Sequence, residues 1–388
     1  MTDMTEKLYD TDAYLTAFRA TVLAVREEAK ACYVTLDRTA FFPEGGGQGA
    51  DRGTLAGLPV LDVQIRDGII EHKLTAPLPL GAQVDGVIDF ANRFDKMQCH
   101  TAEHILSGII HSSYGYDNKG FHLGDDIMTL DTSDPLTPEQ LTEVEEAANR
   151  VVFANLPVSA TYPAPEVLAT MTYRSKLDLT ENVRIVTIPG VDVCACCAPH
   201  VSHTGEIGAI KILTAEKHKS GLRLTVVAGG RALSDYRRRV ENTARIGALL
   251  SVKQEECAVA VERLNRAFAE AQYENKTLRI RLMTERATTY APQDVIDVLT
   301  FSGVGMEELR AFANAVLPRL HCPLVLLSPL TGGGCQYLIA AGEGYDLRPQ
   351  IREWNTALDG KGGGTAQMVQ GTFRRNAPDI CAYFASVK

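Results

Sequence analysis

His100-Thr101-Ala102-Glu103-His104 decides how this chain is read. Two imidazoles one helical turn apart lie on one face of a helix, within reach of a single ion. The surrounding sequence supports the helix. From Phe94 to Tyr114 there is no proline, and Met97, Ile105, Ile109 and Ile110 predict a largely buried segment with one polar stripe. Downstream, Cys196-Cys197-Ala198-Pro199-His200 brings a thiol and an imidazole together in a loop. Three His and one Cys suit Zn²⁺, which prefers tetrahedral nitrogen and sulfur ligands. The candidate ligands are therefore His100, His104, His200 and the sulfur of Cys196 or Cys197.

Composition sets the frame around this site. The chain has 388 residues, 45% hydrophobic and 22% charged, which predicts two to four globular units and neither disorder nor a membrane protein. No apolar run reaches the roughly 18 residues that span a bilayer, and MTDMTEKLYD lacks the character of a secretory signal, so a cytoplasmic location is expected. Nine cysteines are an odd number, and three of them crowd at Cys194, Cys196 and Cys197. In a reducing compartment such a cluster beside histidines points to a metal and not to disulfides. The net charge of -9 argues against a nucleic-acid partner, but Lys211 to Arg239 carries eight Lys or Arg against Glu216 and Asp235.

Outward from the metal motifs the pattern changes. The first ninety residues read as mostly β with an early helix. Ala31 to Leu36 is β-branched and aromatic, and Val60 to Ile65 followed by Asp67-Gly68 and Ile69-Ile70 signals a hairpin, so a small antiparallel barrel or sandwich is expected. Between these strands lies Phe41-Phe42-Pro43-Glu44-Gly45-Gly46-Gly47-Gln48, whose glycines suit either a tight turn or close approach to a ligand. Thr137 with Pro138 opens a helix to Asn155, and Val183–Ile188, Ile207–Leu213 and Leu222–Val227 read as strands. Ser251 with Gln254 resembles a capping box. After it, Cys257, Val261, Leu264, Phe268, Ala271, Asn275, Leu278 and Leu282 alternate spacings of four and three, which predicts a heptad seam that packs on the preceding helix or on a second copy of the chain. The dimer is the favoured reading. In the last hundred residues Leu324–Leu327 and Tyr337–Ala341 read as buried strands of an α/β unit, and Gly360 to Gln367 as a second glycine-rich loop that fits no P-loop or dinucleotide fingerprint.

His100 to His104 also matches the inverted zinc-peptidase pattern His-x-x-Glu-His, with Glu181 available as a third ligand. That reading leaves Cys196, His200 and both glycine-rich segments without a role. The whole set resembles instead the AlaX family of free-standing alanyl-tRNA editing proteins. Thr39 to Gln48, His100 to Ser107, and Cys196 to His200 with its continuation to Gly208 correspond to the family's glycine-rich and metal motifs. The heptads and Gly360 to Gly371 look like the DHH-associated C-terminal domain of the family's long form. Many relatives have Gly-Gly-Thr where Cys197-Ala198-Pro199 stands here. Cys196 is preferred as the sulfur ligand because it keeps the family's Cys-x-x-x-His spacing.

The resemblance implies an α+β chain: a β-barrel over 1–92, a zinc-binding editing domain over 93–230, a helical coiled-coil arm over 231–290, and a C-terminal α/β domain of the DHH-associated type over 291–388. It implies a Zn²⁺-dependent deacylase that hydrolyses alanine tRNA wrongly carrying serine or glycine, the alternatives being the zinc peptidase above and a noncatalytic tRNA-binding module with a structural zinc. The synthetase's charging core is not expected. Glu103 and Gln98 are the candidates for orienting water or a ligand. Thr39 is the residue expected to sense the substrate side chain, and Gly45, Gly46, Gly47 and Gln48 to approach the amino acid or terminal adenosine. Lys217, Lys219 and Arg223 are expected on the acceptor stem, and the arm and C-terminal domain in a homodimer. Four protein ligands make a closed site, whereas catalytic zinc keeps one position open. A departing ligand, five-coordination, or an ion that positions the substrate all stand open.

Overall fold

The structure is a computed structural model that describes residues 5–28, 31–175 and 182–387. Glu181 lies outside them. The chain divides into two compact units, 1–244 and 245–388.

The first unit begins with a short parallel pair, Glu6–Lys7 with Arg38–Thr39, and a single helical turn, Leu8–Thr11. Among the described residues this turn is all there is of the expected early helix. Ala17–Glu28, alternating buried and exposed at its start, is the longest strand instead. An antiparallel sheet of seven strands follows the order Leu58–Val60, Gly53–Leu55, Gln83–Ile88, Ala17–Glu28, Ala31–Leu36, Ile69–Leu74, Asp62–Arg66. Its two edge strands are separated in sequence by Leu61 alone, whose N–H bonds Lys73 O at 2.8 Å. The chain thus nearly closes the sheet into a barrel around Val34, Leu36, Phe41, Leu55, Val63 and Leu74. Asp67 at φ 49° and Gly68 at φ 81° make the turn that the Asp-Gly signal predicts.

A long helix, Phe90–Tyr114, starts where Asp89 caps Asn92 N and stops at Gly115, φ 72°. It is buried along most of its length and packs with Pro138–Ala154 on a second antiparallel sheet, Asn118–Leu123, Met128–Thr132, Gly221–Ala228, Ile210–His218. Thr137 and Gln140 form a reciprocal capping box at the second helix, with proline in its first turn. Ser159–Thr161, Ile185–Ile188 and Asp192–Ala195 form a third, smaller sheet.

In the second unit a five-stranded mixed sheet carries one parallel pair, Asp297–Thr300 with Leu324–Pro329. Alternate residues of the latter feed two cores. Leu324 and Leu326 meet Leu309, Phe312 and Val316, while Val325 and Leu327 meet Ile351, Trp354 and Phe384. That two-faced burial is why the strand reads as a continuous apolar run.

Two expectations are overturned here. Gly360–Gly364 is not a loop but the edge strand of this sheet, paired antiparallel with Val369–Phe373. The glycines are needed because a Cβ at Gly362 would lie 2.2 Å from Tyr337 Oη and 2.3 Å from Gln370 O. Ser251 does not cap the following helix, for it sits at φ 54° just past the preceding one, which ends at Leu250. A short 3-10 turn at Gln254–Glu256 leads instead into Cys257–Thr289. On that helix Val261, Leu264, Phe268, Leu278 and Leu282 are each at least 40% exposed.

Candidate metal centre

One stripe of the long helix does most of the positioning. Arg93, fully buried, donates from Nε to both oxygens of buried Asp51 at 2.9 Å, from Nη2 to Ala40 O at 2.5 Å and from Nη1 to Ala13 O at 3.0 Å. An ion pair so placed costs heavily to desolvate unless its donors are used, and here each of the three guanidinium nitrogens has an acceptor. Lys96 Nζ reaches Ala50 O at 2.6 Å and Gly49 O at 3.2 Å, and burial pushes its ammonium below the ordinary range. His100, one turn further, bonds Gln48 Oε1 through Nδ1 at 2.9 Å. Residues 40 to 51 are thereby stitched along the helix.

Within that segment Gly45 and Gln48 exchange both backbone hydrogen bonds at 3.0 Å. Gly46 at φ 61° and Gly47 at φ 83° form the tight turn between them, a combination that favours glycine. Close approach is achieved too. A Cβ on Gly46 would stand 3.8 Å from His100 Cε1 and 3.7 Å from Cys197 Sγ, and one on Gly47 only 2.5 Å from Phe121 O. The tight-turn reading holds, and the turn stands beside His100 and Cys197.

The nitrogen and sulfur atoms of His100, His104, Cys196 and His200 lie within 4.8 Å of one another. The hydrogen bonds fix the tautomers. Gln48 Oε1 and Asp192 Oδ2 can only accept, so the Nδ1 atoms of His100 and His104 carry the proton. The Thr101 hydroxyl spends its proton on Met97 O at 2.8 Å and therefore accepts from His200 Nδ1 at 3.0 Å. All three imidazoles keep Nε2 for an ion, each steadied from behind as metal-ligating histidines are. Cys196 Sγ stands 3.5 Å from His100 Nε2 and 3.4 Å from His200 Nε2. The nitrogen-to-sulfur edge of a zinc tetrahedron is about 3.6 Å, so the donor set fits such an ion. Burial opposes ionisation of Cys196, yet His100 and His200 outweigh it and hold the thiol well below its usual range. Burial pushes His200 down to about 3, leaving it neutral as a ligand must be.

Other expected residues fall at varying distances from this point. Glu103, almost buried, receives Ser107 Oγ at 2.6 Å and Asn118 Nδ2 on Oε1, and its Oε2 stands 3.9 Å from His104 Nε2. Gln48 Nε2 is buried and has no hydrogen-bond partner among the described residues. Gln98 instead donates to Glu206 O at 2.7 Å and lies against Gly229, tying the turn Thr204–Ile207 to the helix. Thr39 is fully buried. His72 Nδ1 donates to Val34 O at 3.0 Å, so its Nε2 accepts, and the Thr39 hydroxyl donates to it at 2.8 Å while accepting from Phe41 N at 3.1 Å. To donate to a seryl group that hydroxyl must give up His72. Cys197 lies beside the glycine turn, whereas Cys194 and Asp192 come within 4.8 Å of a ring nitrogen of His104.

The basic stretch is less positive than its composition. Lys211 pairs with Glu145, Arg223 with Asp131, Arg231 with Asp95, and Arg238 and Arg239 with Asp235. Lys217 and Lys219 are exposed, without an ion-pair partner among the described residues. Sequence reasoning missed Asp192, Arg174 and Asn118 as neighbours of the site. Nothing local marks them, since Asp192 stands 88 residues from His104.

The chain is similar to known proteins along most of its length. Residues 183–224 match the family described as the threonyl and alanyl tRNA synthetase second additional domain. The chain is 30% identical over 356 residues to the alanyl-tRNA editing protein Aarsd1 of Mus musculus, covering 89% of this chain and 85% of that protein. It is 29% identical over 396 residues to the alanyl-tRNA editing protein AlaX-L of Pyrococcus horikoshii, covering 97% and 96%. The alanine–tRNA ligase of Halobacterium salinarum is 35% identical over 340 residues, but the chain spans only 36% of that ligase's length.

Proposed function

The chain belongs to the family of alanyl-tRNA editing proteins, and we propose that it hydrolyses the ester of alanine tRNA wrongly carrying serine or glycine, with Zn²⁺ held by His100, His104, Cys196 and His200. The convergence of three Nδ1-protonated imidazoles and one thiol beside a glycine turn carries this reading. When bound, the ion supplies Lewis acidity toward the ester, worth several kcal/mol in the transition state.

The protein's own groups do the rest. Glu103, anchored through Oε1, holds Oε2 on the side of His104 Nε2, where it takes a proton from the attacking water. Gln48 donates its buried amide N–H to a substrate oxygen, and the Gly46-Gly47 backbone leaves room for the amino acid or terminal adenosine. Gln98 serves by holding the turn Thr204–Ile207 against the metal helix. Thr39 acts indirectly, by holding Phe41 and His72 in the barrel wall. Lys217 and Lys219 meet tRNA phosphates, with Arg223 contributing less because Asp131 already neutralises it. The exposed heptad face on Cys257–Thr289 suits a second copy of the chain. No helix among the described residues is long and apolar enough to cross a membrane, in keeping with a cytoplasmic site of action.

The test offers purified protein seryl-tRNA of the alanine type, with and without chelator, alongside His104→Ala. Metal-dependent deacylation that His104→Ala abolishes is the expected result. Binding without turnover would sink the catalytic reading, and turnover indifferent to chelator would sink the metal.

A further inference from the structure

We propose that Asp192, Arg174 and Gly108 form the support that aims His104, and that this support sets how tightly the four donors hold their ion. The inference rests on the metal reading above. Asp192 Oδ2 accepts the His104 Nδ1 proton at 2.9 Å. The same carboxylate is gripped by the Arg174 fork, Nε to Oδ1 at 2.7 Å and Nη2 to Oδ2 at 2.8 Å, with the Asp192 side chain 2% and that of Arg174 16% exposed. Arg174 cannot drift away, because its N–H bonds Val193 O at 2.8 Å and its carbonyl receives Ala195 N at 2.9 Å. A bidentate guanidinium fixes both the position and the plane of a carboxylate, which a lysine at the same place does not.

Gly108 completes the set. It stands one helical turn beyond His104, where glycine is unfavourable for a helix interior. A Cβ there would lie 2.4 Å from Val191 O and 2.9 Å from Asp192 Cβ. Its absence is what lets the strand Asp192–Ala195 come close enough for Asp192 to reach the ring. The Arg174 guanidinium is also the counter-charge of Asp192. A buried carboxylate without a counter-charge is costly. Arg174 offsets that charge and keeps the carboxylate facing His104 Nδ1. A bland alternative is that Arg174 and Asp192 merely anchor a strand. It leaves unexplained why the helix gives up a side chain at residue 108 where the strand meets it.

Zinc affinity of the full chain, measured by competition with a chromophoric chelator, separates the two, with melts of the metal-free proteins as the folding control. Arg174→Met and Asp192→Asn should weaken zinc binding 10- to 100-fold, Arg174→Lys less, and Gly108→Ala like Asp192→Asn. In the cobalt-substituted protein the visible bands should shift in Asp192→Asn. Lowered melting temperatures with zinc affinity within twofold of wild type in every variant would overturn the proposal and leave a strand anchor. A wild-type protein that binds zinc but does not deacylate would sink the proposed function and leave this inference standing. One that binds no zinc overturns both.

Discussion

Two glycine runs, Gly45–Gly47 in the first unit and Gly360–Gly364 in the second, look alike in composition and are used differently. In the first, φ values of 61° and 83° require glycine, and the turn they make stands against His100 and Cys197. In the second none of the glycines has a left-handed φ, and the run lies in a sheet where the missing side chains make room for Tyr337, stacked on Phe373 at 4.0 Å. The first run serves backbone shape near a reactive point, and the second serves packing. Glycine richness alone predicts flexibility in both, and only what surrounds each run tells them apart.

The sharpest way to break this contrast is Gly47→Ala. Its methyl would meet Phe121 O at 2.5 Å in a left-handed conformation, so deacylation should fall by roughly 100-fold or more in single-turnover kinetics as the turn shifts. A loss below threefold would remove the turn from the site. Acid should separate the runs next. Burial pushes His72, which holds Thr39 just ahead of the first run, down to about 4. As pH falls below about 6.5 the unfolded chain takes up the proton before the folded one does, so about 3 kcal/mol of stability is lost by pH 4. His72→Gln should show that much less pH dependence in urea unfolding followed by circular dichroism. The second run has no such group, since burial pushes Tyr337 up to about 12. Gly362→Ala should cost the second unit about 1–3 kcal/mol by overpacking against Tyr337 Oη, with zinc affinity unchanged. The chain's single tryptophan, Trp354, is buried in that unit and reports its unfolding by fluorescence. Smallest is Gly363→Ala, where a Cβ meets nothing within 4 Å, so the same fluorescence should show a change within about 0.5 kcal/mol.

How far such features are legible in sequence depends on their range. Asp67-Gly68, Thr137-Pro138 and the apolar run Leu324–Leu327 announce turn, cap and buried strand because each obeys a rule a few residues wide. His100, His104, Cys196 and His200 are legible as two short-range pairs whose side-chain chemistry implies a common target. The partners behind them are not. Asp192 reaches His104 and Thr101 reaches His200 across 88 and 99 residues, and no spacing rule spans such gaps. Ser251 misleads because a serine three residues before a glutamine is equally at home after a helix, once its backbone turns left-handed. The basic stretch misleads because composition counts charges and ignores the acids folded against them.

Arg93, Lys96 and His100 stitch residues 40 to 51 to a helix that begins only at Phe90. That stitching bears on heredity as well as on shape. A barrel inherited without the helix would expose Asp51 and the carbonyls of Ala40 and Ala50 to a partner that no longer exists, and a helix inherited without the barrel would bury Arg93 against nothing. Splitting the gene between residues 51 and 90 should therefore give two fragments, neither of which folds without the other.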